Sequence, residues 1–262
     1  SSSSSTSADE AVLVKSGQTV LRLNGAHYAK LRELFDRSRA AKAAAAGSSL
    51  SSSSFSSKAA AADRDRLFHE RLFGLLMRYE ALQGGGFQAA ADGDVFDALL
   101  RHFDAAFECF ASPLNCRYGR FCSAFPDTDR PFGSAGSFFH FHPTRGSYQA
   151  NPPFVPTIIS SMSAHMGQLL ASPEAEALCF VVIVPAWEHS AGWQALCAHP
   201  HLRHHERIGQ ADHGYCEGRQ HLRKTRFRIA SFDTSVFFLQ NDPGADAWPV
   251  TPEKIEDLRR AF

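Results

Sequence analysis

One alternation of patterns constrains the fold of this chain more than any other feature. A helix-like stretch at residues 155–170 separates a short β-like run at 146–150 from a wholly apolar run at 178–184. A strand, a helical crossover and a second strand are typical of an open α/β sheet. Two later runs, 227–231 and 235–239, are separated by Asp233-Thr234 and predict an antiparallel hairpin at the sheet edge.

The patterns that precede the sheet predict a helical companion region. Residues 11–34 predict a hairpin that turns at Ser16-Gly17 and a short helix after it, and residues 67–82 repeat apolar side chains at helical spacing. A further helix is predicted from about Asp94. We therefore divide the chain into four parts, namely a hairpin and helix segment (1–39), a low-complexity linker (40–65), a helical region (66–104) and the α/β domain (105–262).

Charge and cysteine content exclude several classes of protein. Lys+Arg and Asp+Glu both number 27, which excludes a strongly basic coat protein for nucleic acid and an acidic solvating tail. The six cysteines form no C-x-x-C pair, so we expect reduced thiols and neither a disulfide scaffold nor a zinc ribbon. No apolar run approaches the roughly 20 residues of a membrane span, so we expect no membrane partner.

The sharpest local motif, Asn151-Pro152-Pro153-Phe154, directly follows the run at 146–150. Ligands of open α/β sheets bind beyond the carboxyl ends of strands, and two prolines make this loop rigid. The Asn151 side-chain oxygen and the Pro152 carbonyl can accept both hydrogens of an exocyclic amino group, while Phe154 can stack on the ring. The nitrogen lone pair then faces an electrophile such as a methyl group on sulfonium. The alternative is a Pro-Pro turn followed by an ordinary core phenylalanine.

The sequence around this motif resembles one family over a long span. FECFASPLNC at 107–116, CSAFPDTD at 122–129, FGS at 132–134 and GSYQANPPF at 146–154 occur in that order. Together they resemble the phosphorylated-CTD-interacting factor family, whose vertebrate member methylates the adenosine next to the messenger RNA cap. The resemblance continues through VPAW at 184–187, through His213 and His221, and into LQNDPG at 239–244.

The resemblance implies a Rossmann-like methyltransferase sheet with an N-terminal helical companion, S-adenosylmethionine as donor, and N6-methylation of the cap-adjacent 2′-O-methyladenosine of capped mRNA. It also implies a nuclear protein whose partner is a capped RNA 5′ end, and it makes Asn151 to Phe154 the catalytic adenine clamp. Binding to the polymerase II C-terminal tail would need a WW-like module with paired tryptophans, whereas all three tryptophans here follow residue 186.

Donor-binding candidates come from three segments. The loop of Pro131, Phe132, Gly133 and Ser134 is similar to a cofactor-binding segment of the family. Ser112, Pro113 and Asn115 follow a β-like run at 108–111, the first of the predicted sheet, whose end usually faces the donor, although this segment also suits a capped turn. Asp127, with Asp129 beside it, suits the donor's ribose hydroxyls and equally suits a turn.

Substrate contacts are predicted further along the chain. We assign Trp187, His213, His221 and Arg223 to substrate binding, with half-buried packing as the alternative for Trp187. Residues 199–228 carry seven Lys+Arg against three acids, a surface that either follows RNA phosphates or is an ordinary solvated loop. The histidines there match no common zinc-ligand spacing, so we expect no metal.

Two departures keep other functions open. The position two places after the motif commonly holds a carboxylate in the relatives, and here it is Pro156. The cap-recognising basic residues of the family lie in its N-terminal helical region, where this chain is short. The alternatives are therefore an amino methyltransferase for uncapped RNA or DNA, or a catalytically weak RNA-binding relative.

Overall fold

The computed structural model describes residues 11–47, 58–82, 89–217 and 227–262. In these residues the strands are β1 (Ala11–Ser16), β2 (Thr19–Asn24), β3 (Ala89–Ala90), β4 (Gly146–Ala150), β5 (Leu178–Pro185), β6 (Leu202–Ile208), β7 (Gly214–Glu217), β8 (Phe227–Ile229) and β9 (Thr234–Gln240). The helices are α1 (Gly25–Ala45), α2 (Lys58–Ala81), α3 (Gly93–Phe103), α4 (Pro126–Asp129), α5 (Pro156–Leu170), α6 (Ala191–Cys197), α7 (Asp242–Ala247) and α8 (Pro252–Ala261). Within them, no helix is both long and apolar enough to cross a membrane.

The central sheet contains the predicted strand–helix–strand unit. Strand β4 pairs in parallel with β5, and α5 connects them. Strand β9 lies antiparallel between β5 and β6, so the four-stranded order is β4-β5-β9-β6. The α/β class and the helix between the two strands are thus confirmed.

Three single-residue bridges extend this sheet beyond β4. Glu108 pairs in parallel with Gln149 and with Phe121, and Phe121 pairs in parallel with Ser134. When the seven segments are numbered along the chain, from Glu108 as the first to β9 as the last, their order in space is 3-2-1-4-5-7-6. The order of the segments reverses between Glu108 and β4, and this switch point positions the site described below.

The sheet is packed on both faces because successive side chains of a strand point to opposite sides. Strands β5 and β9 are buried along their whole length. Val181 and Phe238 face a core shared with α3 and α8, whereas Phe180 and Phe237 face a core shared with α5 and α6. The five cysteines whose side chains are described are free thiols.

The N-terminal part packs directly on the extended edge of the sheet. The hairpin β1–β2 turns at Gly17 (φ +57°), and α1 begins behind an Asn24 cap whose side chain accepts a hydrogen bond from His27 N at 2.9 Å. Together with α2 these elements share a third core with Leu114, Phe121 and Phe132. The helical companion is therefore continuous with the sheet.

Three sequence predictions differ from this fold. Residues 40–45 and 58–65, assigned to a linker, are helical, because alanine is the best helix former. The helix predicted from Asp94 begins at Gly93, and its cap is Asp92. The runs at 227–231 and 235–239 form no hairpin, since β8 pairs with β7 in a small sheet and β9 is an interior strand. A strand buried on both faces, such as β9, needs neighbours on both edges.

Candidate active site

A cavity of about 450 Å³ opens at the carboxyl ends of β4 and of the bridging segments at Glu108 and Phe121. Ligands of open α/β sheets bind at such a switch point, and the volume is that of an ordinary small-molecule site. Its walls come from Tyr79, Leu82, Phe96, Cys109–Ser112, Asn115, Ser123–Phe125, Ser137–Phe139, Gln149, Asn151–Pro153 and Ile158.

The predicted clamp loop forms one wall of this cavity. Asn151, Pro152 and Pro153 all line it, and Asn151 follows directly on the last residue of β4. Val155 N donates to the Pro153 carbonyl at 2.7 Å, and α5 begins at Pro156. Because two prolines and a helix start restrain the loop, its polar atoms keep fixed positions beside the cavity.

Phe154 lies beside the cavity in an aromatic cluster. It is only 4% exposed, and its ring centroid is 5.6 Å from that of Phe232 and 6.2 Å from that of Trp187, both edge-on. Trp187 and Phe232 also meet edge-on at 5.8 Å. The structure therefore brings Phe154 and Trp187 together. Stacking of either ring on a ligand stays a prediction.

Ser112 and Asn115 form a second polar wall. Ser112 N and Oγ donate to Asn115 Oδ1 at 2.7 and 2.9 Å, so the Nδ2 group of Asn115 is the part that can donate to a ligand. Pro113 is buried beneath them. The structure thus places this donor-binding candidate and the clamp loop in the same cavity.

A third polar group, which sequence reasoning missed, comes from α2. Tyr79 lines the cavity, and its hydroxyl donates at 2.7 Å to the fully buried carboxylate of Asp129. Burial raises the pKa of Asp129, and burial together with Asp129 raises the pKa of Tyr79 well above its usual range. Tyr79 belongs to the apolar repeat of α2, so periodicity alone assigned it to the core.

Asp127 occupies a different environment from Asp129. It is exposed and pairs with Arg78 Nη2 at 2.6 Å, and the Arg78 guanidinium also lies 5.2 Å from the centroid of Phe125. This contact fixes the end of α2 against the cavity wall. A role of Asp127 in binding ribose stays a prediction.

The loop Pro131–Ser134 does not line this cavity, although Ser134 contacts the wall residue Ser123 from behind. Phe132 is fully buried and packs against Phe35 of α1, with 6.0 Å between ring centroids. Ser134 Oγ lies 2.6 Å from Ser123 Oγ, and Gly133, at φ +101°, lines a different groove. Of the donor-binding candidates, only Ser112 and Asn115 reach the cavity walls.

Of the substrate-binding candidates beyond Trp187, only His213 lies in the described part of the chain, and it does not line the cavity. His213 is buried, with Nδ1 2.7 Å from the Gly209 carbonyl and Nε2 2.7 Å from Thr234 Oγ1. These contacts tie β7 to β9. His221 and Arg223 lie outside the described residues.

The basic segment 199–228 is only partly described. Arg203 pairs with Asp242, while Arg207 pairs with Glu188 at 2.5 Å and with Asp233 at 2.7 Å. Its histidines at 204 and 205 lie on strand β6 and not in a loop. Among the described side chains, no three His, Cys, Asp or Glu converge on a position that could hold a metal ion.

Glu108, which directly precedes the cavity residue Cys109, was also missed. It is 2% exposed, and both carboxylate oxygens accept from Arg117 N at 2.8 Å. Burial raises the pKa of Glu108 to about 7. This carboxyl anchors the loop after Cys116 to the first segment of the sheet.

Comparison with known proteins supports the resemblance carried by the quoted motifs. Two relatives, from Homo sapiens and Mus musculus, are each named mRNA (2'-O-methyladenosine-N(6)-)-methyltransferase. Each is 40% identical over 205 residues, which cover 74% of this chain and 29% of the relative. The matched segment is thus less than a third of the relatives' length.

A family model covers most of the chain as well. The model described as the phosphorylated CTD interacting factor 1 WW domain matches residues 30–218, a range that includes most of α1, all of α2 and every wall of the cavity. The family predicted from the motifs is confirmed, and the chain belongs to the phosphorylated CTD interacting factor 1 family.

Proposed function

We propose that this chain is an S-adenosylmethionine-dependent methyltransferase that methylates N6 of the cap-adjacent 2′-O-methyladenosine of capped mRNA. The observation that carries the proposal is the Asn151–Pro153 loop in the wall of a cavity at the sheet's switch point. The names of the 40% identical relatives support the same activity.

The sheet order supports a Rossmann-like fold. The first five segments follow 3-2-1-4-5, the order of doubly wound nucleotide-binding sheets, and the cavity lies between segments 1 and 4. The cavity volume of about 450 Å³ and its mixture of polar and apolar walls suit a nucleoside-containing cofactor. Ser112 and Asn115 are the residues we propose to hold it, and S-adenosylmethionine supplies an electrophilic methyl group on sulfonium.

The chain's own contribution is to bind and orient the target amine. Asn151 Oδ1 and the Pro152 carbonyl accept the two N–H groups of the adenine, which directs the nitrogen lone pair into the cavity. Orientation of this kind supplies much of the rate without a dedicated strong base. A single-stranded 5′ end suits this site because its base enters without the cost of opening a duplex. We propose the nucleus as the compartment because capped mRNA is made there.

The test is methyl transfer to defined oligonucleotides. The purified chain is incubated with labelled donor and either a capped RNA that begins with 2′-O-methyladenosine or the same RNA without a cap, and nucleosides are analysed by mass spectrometry. We expect N6-methylation of the capped RNA and far less of the uncapped one. Equal turnover of both would contradict cap specificity, and no turnover of either by folded, donor-binding protein would contradict the activity.

Asn151→Ala tests the clamp itself. Because the substitution removes one of the two acceptors, we expect transfer to fall by about 10²-fold or more, with donor binding and the melting temperature nearly unchanged. The matched control is Asn24→Ala, which removes an asparagine that caps α1. It should cost about 1 kcal/mol of stability and leave turnover intact. Unchanged activity in Asn151→Ala would refute the clamp.

A further inference from the structure

A second, larger concavity lies between α1 and the loops that lead into the bridging segments. Its volume is about 940 Å³. We call it the basic groove, because among the described residues that line it Glu33 alone is acidic and six are basic: Lys30, Arg37, Lys42, Arg117, Arg120 and Arg130. A chain with zero net charge therefore concentrates positive charge on one surface.

The basic groove and the candidate active site lie at opposite ends of the same parallel segments of the sheet. Arg120 and Gly133, which line the groove, directly precede the bridging residues Phe121 and Ser134. The cavity residues Cys109 and Ser123 follow their bridging residues instead. Because these segments run parallel, the groove lies at their amino ends and the cavity at their carboxyl ends. The groove is therefore a separate site.

Much of this charge is not neutralised within the protein. Arg117 pairs with Asp97 at 3.0 Å, and Arg37 lies 3.6 Å from Glu33. Lys42, Arg120 and Arg130 have no carboxylate of a described residue within 4.0 Å. Like charges held together without counter-charges indicate an anionic ligand.

The shape of the groove selects among anionic ligands. Lys30, Arg37 and Lys42 lie along α1, where twelve residues span about 18 Å. That length suits a chain of phosphates better than a single one. Arginine guanidinium groups match phosphate oxygens geometrically. Tyr118 is the one aromatic residue in the walls, and its hydroxyl is already bound to the Phe96 carbonyl at 2.7 Å. With six basic side chains and a single aromatic ring among its described lining residues, the groove suits contacts to a phosphate backbone.

We propose that the basic groove binds the phosphodiester backbone of single-stranded RNA, on the 3′ side of the nucleotide held in the candidate active site. The link to a methylated nucleotide rests on the proposed function, whereas binding of RNA in the groove does not. The contacts are to phosphates, so the binding is independent of sequence and sensitive to salt.

The first test measures binding without catalysis. Fluorescence anisotropy of a labelled 20-nucleotide single-stranded RNA compares the wild-type chain with the triple variant Lys42→Glu, Arg120→Glu, Arg130→Glu between 50 and 200 mM salt. We expect at least tenfold weaker binding and a salt slope smaller by about 2, since each phosphate contact contributes about 0.7 for a single strand. Wild-type affinity in the triple variant would overturn the proposal.

Matched controls separate the groove from general charge and from misfolding. A control triple variant, Lys15→Glu, Arg22→Glu, Arg71→Glu, reverses three exposed charges on the hairpin and α2, outside the groove. It should change the affinity for RNA less than twofold. The neutral triple variant Lys42→Gln, Arg120→Gln, Arg130→Gln, checked by circular dichroism, should weaken binding in the same direction. Binding of a labelled phosphoserine peptide is measured in parallel. If a groove variant bound this peptide more weakly than the wild type but kept wild-type affinity for RNA, the proposal would be overturned in favour of a peptide site.

Methyl transfer to RNAs of two lengths tests the position of the strand. The charge-reversed variant should raise KM at least tenfold for a capped 20-nucleotide RNA and leave KM for a capped trinucleotide unchanged. An equal rise for both lengths would overturn the assignment to the 3′ side. Groove-dependent RNA binding by a chain that transfers no methyl group would refute the proposed function while supporting the groove.

Discussion

At the scale of single residues, a buried carboxyl next to the cavity couples folding to pH. Glu108 accepts hydrogen bonds from the backbone N–H groups of Arg117 and Tyr118, and among the described residues no basic side chain lies within ion-pair distance of it. Desolvation disfavours its charged form and raises the pKa of Glu108 from 4.5 to about 7. The folded protein therefore holds a proton that the unfolded chain releases between these two pH values.

We predict that Glu108→Gln flattens the pH dependence of stability. In the wild type, the stabilisation that comes from protonated Glu108 is fully present below pH 4.5 and is lost as the pH rises through about 7. The free energy of unfolding changes by about 3 kcal/mol over this range. The glutamine variant does not titrate. Urea unfolding of both proteins at pH 4.5, 6 and 8 should show the wild type losing stability relative to the variant.

The control for this experiment is Glu80→Gln, at an exposed glutamate on α2. Its pH profile should run parallel to that of the wild type. Parallel profiles for Glu108→Gln as well would show that the buried carboxyl does not titrate in this window.

At the scale of elements, one asparagine connects three segments of the sheet region. Asn241 Oδ1 accepts from Gly244 N at 2.9 Å, which caps α7, and from Leu178 N at 3.0 Å, where β5 begins. Its Nδ2 donates to the Glu176 carbonyl at 2.6 Å. A β-carbon on Gly244 would lie 2.2 Å from the Leu178 carbonyl oxygen, so the helix also packs closely on the strand.

We predict that Asn241→Ala destabilises the protein by roughly 2–4 kcal/mol, because the helix loses its cap and Leu178 N is left buried without an acceptor. Thermal unfolding followed by circular dichroism measures the loss. Ser190→Ala is the matched control, since Ser190 only caps α6 through Trp193 N, and it should cost about 1 kcal/mol. Equal losses in the two variants would refute the connecting role of Asn241.

Elements were predictable from sequence where local pattern determines them. Helix α5 and strands β4 and β5 have strong local patterns, and they lie where expected. The partners of β9 are set by burial on both faces, which no local turn signal reports. Phe121 and Ser134 each contribute a single bridge, too short to show a strand period, whereas Glu108 lies in a β-like run at 108–111 that the sequence does show.

The same distinction holds for the site. The clamp loop was predictable because its motif is contiguous and follows a strand. Tyr79 and Ser123 were not, because they meet only when α2 packs across the sheet edge. The loop Pro131–Ser134 was assigned to donor binding by resemblance. Its position outside the cavity lining follows from the packing of Phe132 against α1 and α2, which the sequence does not show.

At the scale of the whole molecule, the N-terminal elements and the sheet share one hydrophobic core. Phe35 and Phe68 of the two long helices are fully or almost fully buried with Phe121 and Phe132 of the sheet edge. Separation of the helices from the sheet would expose all four rings to water, at a cost of several kcal/mol. The N-terminal helices and the sheet are therefore expected to fold as one unit.

We predict a single unfolding transition for the described fold. Tryptophan fluorescence reports only on the sheet region, because Trp187, Trp193 and Trp248 all lie there, whereas α1 and α2 are the two longest of the described helices and contribute nearly half of the helical circular dichroism. The two signals should change at the same urea concentration. Phe132→Ala, which creates a cavity in the shared core, should lower the stability by about 3–5 kcal/mol and move both transitions together.

Met77→Ala is the control for this experiment, since Met77 is 42% exposed on α2 and its loss should change stability by less than about 0.5 kcal/mol. If the circular dichroism signal of Phe132→Ala were lost at lower urea than its fluorescence signal, the helices would be a separate unit. Tyr79 would then leave the cavity wall before the sheet unfolds. Coincident transitions instead mean that the wall from α2 persists for as long as the sheet does, so that the cavity exists only in the fully folded chain.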